Sequence, residues 1–226
     1  MSEHAAYRLP RAAVWWSAAF VVLAVLVQAT DFDRLNSFAV RHLEPIAPGH
    51  GHANLNALAE AIVSPGSPAT SALIIGAAAV LLWRRGRRRE AVAWPLAYLA
   101  AIVIEVICKL LIEQHRSGVW HGFGLTFDSS FPSGHMLRAI LITGAVSALL
   151  PRLRPLLAAW CVAVGICMLL TGFHLPTDIV GGILAGMALA TAAEAAGVRP
   201  SSSPSSPSSS QRAREEWDLQ GTFGSR

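Results

Sequence analysis

The sequence predicts an all-α, polytopic membrane protein whose six transmembrane helices pack into one bundle. Three observations carry this expectation. Hydrophobic residues make up 53% of the 226 positions and charged residues only 14%, against roughly 25% charged in an average soluble protein. The apolar residues gather into six runs close to the length that a hydrocarbon core of about 30 Å requires at about 1.5 Å per helical residue. The arginines fall between these runs so that, with six crossings, their clusters share one side. A mean hydropathy of +0.46 agrees, and disordered, collagen-like and disulfide-rich secreted classes are excluded for the chain as a whole.

The first run covers residues Ala12 to Ala29 and contains no charge. The second, Ala69 to Trp83, is short but extends backward through Ser64-Pro65-Gly66. The third covers Ala91 to Ile112, the fourth Gly134 to Leu150, the fifth Leu156 to Thr171 and the sixth Leu175 to Ala193. Between the first two, Leu55, Leu58, Ala59 and Ile62 recur at helical spacing. This segment, around 52–63, reads as an interfacial helix packed on the bundle.

Arginine placement orients the bundle. Arg8 and Arg11 precede the first run, Arg84, Arg85 and Arg87 to Arg89 fill the second loop, Arg152 and Arg154 lie between the fourth and fifth, and Arg199, Arg212 and Arg214 follow the sixth. All four clusters mark the cytoplasmic side, with both termini there. They explain the basic balance without a nucleic-acid partner. Val27-Gln28-Ala29 resembles a signal-peptidase site, but the apolar run before it is long for a signal core, so a retained anchor is expected. Residues 1–196 form the membrane domain. The remainder, 197–226, holds a Ser/Pro run from Ser201 to Ser210 and reads as a disordered cytoplasmic tail. Cys108, Cys161 and Cys167 all lie in apolar runs, without metal-ligand spacing; they read as small apolar residues, and no metal or cofactor is expected.

Ionisable groups inside spans are costly and commonly functional. Here they are Glu105, Lys109, Glu113 and Arg116 on the third run, His135 and Arg138 on the fourth, and His174 and Asp178 at the start of the sixth. By the predicted topology they converge near the non-cytoplasmic ends of their helices. Lys109, the single lysine among 18 basic residues, shares a helical stripe with Arg116 two turns away. Glu105 and Glu113 are each four positions from Lys109 and can neutralise it, which is the purely structural alternative. In Phe131-Pro132-Ser133-Gly134-His135, Ser133 is a good N-cap, and the helix start behind it makes an anion site; a simple cap is the alternative. His174 lies four residues before Asp178. A carboxylate on one imidazole nitrogen fixes the tautomer and leaves the lone pair of the other for nucleophilic attack.

Taken together, Lys109-x6-Arg116, Pro132-Ser133-Gly134-His135 and His174-x3-Asp178 resemble, in order and spacing, the three motifs of the type 2 phosphatidic acid phosphatase (PAP2) superfamily. These are six-span lipid phosphatases related to vanadium haloperoxidases, and the resemblance extends over residues 12 to 195. It implies a lipid-phosphate phosphatase in the bacterial inner membrane with its site on the extracytoplasmic side. The substrate would be phosphatidic acid, phosphatidylglycerol phosphate or a polyprenyl phosphate or diphosphate. His174 would attack phosphorus to give a phosphohistidine, with Asp178 orienting it and His135 protonating the leaving oxygen. Lys109, Arg116, Ser133 and Gly134 would hold the phosphoryl oxygens.

The chain departs from the family pattern in two of the motifs. Ser117 follows Arg116 where the pattern has proline, and Cys167-Met168 stand where it has Ser-Arg. Arg138, one turn past His135, is expected to meet a phosphate oxygen or an acid, since an unpaired guanidinium there is costly; in the first case it would replace part of the absent guanidinium. The other reading of Met168 is altered catalysis: a phosphotransferase, or a lipid-binding or transport relative.

Overall fold

The computed structural model describes residues 10–30, 32, 38, 53–112, 115–122, 125–171 and 174–197. Its helices are α1 (Arg11–Ala29), α2 (Ala53–Val63), α3 (Pro68–Arg84), α4 (Arg88–Leu111), α5 (Gly134–Leu149), α6 (Arg154–Leu170) and α7 (Pro176–Gly197). Each of the six predicted runs is therefore helical. Four helical stretches, α1, α4, α7 and Pro151–Leu170, are long and apolar enough to cross a bilayer alone. With 17 residues, α3 qualifies only together with Ala57–Gly66, from which it is bent by 51°. The segment expected to lie at the interface is thus joined to α3 as a bent pair. Only 16 residues long, α5 reaches roughly 24 Å, short of a full hydrocarbon core.

Packing follows side-chain size. The face that α7 buries carries Gly181, Gly182, Ala185, Gly186 and Ala188, and small residues let backbones approach closely. It lies at the centre, against α5, α1 and α4. The bundle's outer surface exposes Trp15, Val21, Leu73, Leu96, Leu156 and Val162, an apolar belt suited to lipid. One core cluster gathers Leu82, Trp94, Tyr98, Leu137 and Leu141, and a second gathers Met136, Val164, Met168 and Ile179. Trp94 and Tyr98 are interior. Trp94 is fully buried, and the Tyr98 hydroxyl donates to the Pro68 carbonyl at 2.6 Å. The three cysteines are thiols.

The chain between α4 and α5 holds the strands that a helical reading does not contain. β1 (His115–Gly122) and β2 (Leu125–Ser129) pair antiparallel, with Trp120 opposite Phe127 and Gly122 opposite Leu125. Val119, Trp120, Thr126 and Phe127 suit a pleated strand, but the segment is too short and interrupted to register as a span.

At the opposite end, α3 stops in a Schellman motif. Gly86 takes φ +76°, and the amides of Gly86 and Arg87 donate to Trp83 and Leu82 at 2.9 Å each, as a glycine after the C-cap permits. Arg85 Nη1 then donates to the Leu149 carbonyl at 3.0 Å, and Arg87 to that of Ala148. Two arginines of the α3–α4 loop thereby cap the C-terminus of α5, where cations are favoured.

Candidate active site

The end of the bundle away from these arginines brings together the starts of α5 and α7, the last turns of α4 and the break before α3. Ser133 caps α5 as predicted, its Oγ accepting from the Met136 amide at 3.4 Å. The Ser133 amide donates to the Asp178 carbonyl at 2.9 Å. That bond ties the Pro-Ser-Gly-His turn directly to the first turn of α7.

Asp178 is completely buried. Its Oδ2 accepts from the Leu175 amide at 2.9 Å and lies 3.3 Å from His174 Nδ1. The backbone amide locks the carboxylate, and the carboxylate faces Nδ1, so Nε2 is the nitrogen directed elsewhere. Oδ1 is buried without a hydrogen-bond partner among the described residues. His174 itself is held by a bond from its amide to the Met168 carbonyl at 3.3 Å. The Met168 side chain packs into the apolar cluster with Met136, Val164 and Ile179. At the position of the family arginine, this chain therefore supplies core packing and a backbone acceptor.

His135 is half-buried, within electrostatic reach of Arg138, His174, Glu105 and Lys109. It also borders the break between α2 and α3: a Cβ built on Gly66 would lie 3.4 Å from His135 Cδ2. Lys109 donates to Glu105 Oε1 at 2.7 Å. Arg138, only 3% exposed, donates through Nη1 to Glu105 Oε2 at 2.5 Å and through Nε to the Gly66 carbonyl at 2.7 Å. Arg138 thus meets an acid, one of the two partners expected for it, together with a backbone carbonyl. Gly134 lies directly beneath the Glu105 carboxylate, since a Cβ there would approach Oε1 to 2.1 Å. Arg116 falls on β1, and its side chain and Glu113 lie outside the described residues.

The sequence placed His135, Lys109, Ser133, Gly134, Arg138, His174 and Asp178 at one depth, and the structure gathers them. One participant was missed: the Gly66 carbonyl has no side-chain signature at all. Glu105 was named as a partner of Lys109, but its pairing with Arg138 had no local signal. Among the described residues no three His, Cys, Asp or Glu side chains cluster as metal ligands.

Residues 91–196 match the PAP2 superfamily. The chain carries a PAP2 superfamily domain. That domain runs from the first turn of α4 almost to the end of α7 and contains all three motifs. A curated relative, a lipid A 1-phosphatase of Rhizobium johnstonii, is 26% identical over 196 residues, covering 76% of each chain. A crystal structure of a transmembrane PAP2 type phosphatidylglycerolphosphate phosphatase from Bacillus subtilis superposes with a TM-score of 0.64 at 22% identity, covering 82% of this chain and 95% of the other. The chain is thus similar to PAP2 lipid phosphatases through residues 91–196, and four of its described helices, or five if the bent pair is one span, are long and apolar enough to cross a membrane.

The PAP2 domain also borders an apolar groove of about 560 Å³ between α5, α6 and α7. Met136 and Ile179, the neighbours of His135 and Asp178, line it together with Ile140, Leu169 and Ile183.

Proposed function

We propose that this protein is a lipid-phosphate phosphatase that works through a phosphohistidine and needs no metal. The observation that carries the proposal is the union of two motifs by the Ser133–Asp178 bond at 2.9 Å, with His174 oriented by the same Asp178 at 3.3 Å. His174 Nε2 attacks phosphorus, the bond to the lipid oxygen breaks, and His135 gives that oxygen a proton. Water then loses a proton to His135 and attacks the phosphohistidine, releasing inorganic phosphate and restoring His174. Asp178 stabilises the imidazolium that arises when the phosphoryl group is transferred. Lys109, Arg116, the Ser133 hydroxyl and the Gly134 amide hold the phosphoryl oxygens, which makes positioning and charge the main catalytic devices.

The substrate is a monoester or diphosphate on a lipid: phosphatidic acid, phosphatidylglycerol phosphate, a polyprenyl phosphate or a lipid A-type 1-phosphate. The names of the two relatives support this class, and the groove beside Met136 and Ile179 suits one acyl chain. Residues 1–196 act as the membrane domain and 197–226 as its tail. Arg84 to Arg89 and Arg154 lie at the end remote from His174, so the positive-inside rule puts the site on the extracytoplasmic face of a bacterial inner membrane. Purified protein assayed on a panel of these lipids, beside His174→Ala, tests the proposal. Phosphate release from at least one lipid, abolished in the variant, is expected; equal release from both proteins overturns the nucleophile.

A further inference from the structure

We infer that Glu105 is a positioning residue: held by Arg138, it fixes the ammonium of Lys109 beside the Ser133–His135 turn. The inference rests on the phosphate-handling role proposed for Lys109.

Burial is the first argument. Lys109 and Arg138 each pair with Glu105, and the three side chains are 12%, 3% and 4% exposed. Burying an unmatched charge is costly, so the carboxylate is held where the two cations meet it.

Geometry is the second argument. Arg138 is anchored at both ends, Nε on the Gly66 carbonyl at 2.7 Å and Nη1 on Glu105 at 2.5 Å. Its guanidinium therefore fixes the carboxylate, and the other carboxylate oxygen receives Lys109 at 2.7 Å. A lysine stem is long and flexible, and ordering it before substrate arrives reduces the entropy lost in binding. The carboxylate also rests on Gly134, where a Cβ would come within 2.1 Å of Oε1. Glu105 thus sets the height of α4 against the first residue of α5, whose amide is assigned to phosphate. Arg138 acts on phosphate through Glu105, as a counter-charge.

The test uses full-length protein in nanodiscs, with kcat and KM measured on a short-chain lipid phosphate and the Kd of inorganic phosphate measured by calorimetry. Glu105→Gln is expected to raise KM and Kd about 10- to 100-fold, the range seen when an outer partner of a binding group is lost, with a smaller change in kcat. In a Lys109→Ala background the same substitution should change Kd by less than about threefold, because groups acting in series are not additive. Glu105→Gln with Arg138→Met removes both buried charges, so thermal stability should recover while KM stays raised. An undiminished effect of Glu105→Gln without Lys109, or wild-type Kd in the double variant, overturns the inference. If wild-type protein released no more phosphate than His174→Ala, the phosphatase reading would fall, while the phosphate Kd values would still decide the role of Glu105.

Discussion

The two ends of the bundle use charge in opposite ways. At one end Arg84, Arg85, Arg88, Arg89, Arg152 and Arg154 are exposed; Arg85 caps the end of α5, and Arg88 lies 5.3 Å from the Trp83 ring. At the other end Glu105, Arg138, His174 and Asp178 are buried, and their partners are acids, bases and backbone groups held in place by the bundle. Exposed charges in water interact weakly and mark topology. Buried ones are costly unless paired, so their geometry is specific enough for chemistry.

That contrast can be broken from its strongest point downward. Asp178→Asn keeps the shape of the buried pair but permits the wrong His174 tautomer; kcat should fall by up to about 10⁴-fold, measured by phosphate release. A loss under tenfold would mean that Asp178 only packs α7. Lys109→Ala comes next, with an expected loss in kcat/KM of about 10²–10³-fold for one charge-stabilising donor. Gly134→Ala forces the clamped Glu105 carboxylate to move, and overpacking of this kind costs about 1–3 kcal/mol. A lowered Tm with a raised KM would show that the seat is rigid; an unchanged Tm would show that Glu105 yields. Smallest is Arg85→Gln at the far end. Loss of its cap on Leu149 should cost less than about 1 kcal/mol, with kcat/KM unchanged. A large kinetic effect there would erase the distinction between the ends.

Much of this was legible in the chain itself. Apolar runs set the helices because span length is a property of a single segment. The His174-x3-Asp178 pair was readable because both residues lie on adjacent turns, and Ser133 was readable because capping is local. The fate of Arg138 was not, because its acid lies 33 positions away and its second acceptor, the Gly66 carbonyl, lies 72 positions away. The β1–β2 hairpin escaped a reading tuned to long helices. Trp94 and Tyr98 could not be placed from spacing, because an aromatic ring suits an interface and a helix-packed interior equally well.

The sequence by itself determined the membrane class, the helical segments, the charged poles and the residues able to handle a phosphoryl group, since each follows from composition or from spacing within a few turns. Only the tertiary structure decided which buried charges meet. It joined Lys109 and Arg138 on one carboxylate, set that carboxylate on Gly134, and put a methionine where the superfamily has an arginine into the core beside His174. The reason is the desolvation of charge: inside an apolar bundle every ionised group must find a partner, and the packing of distant helices decides which one.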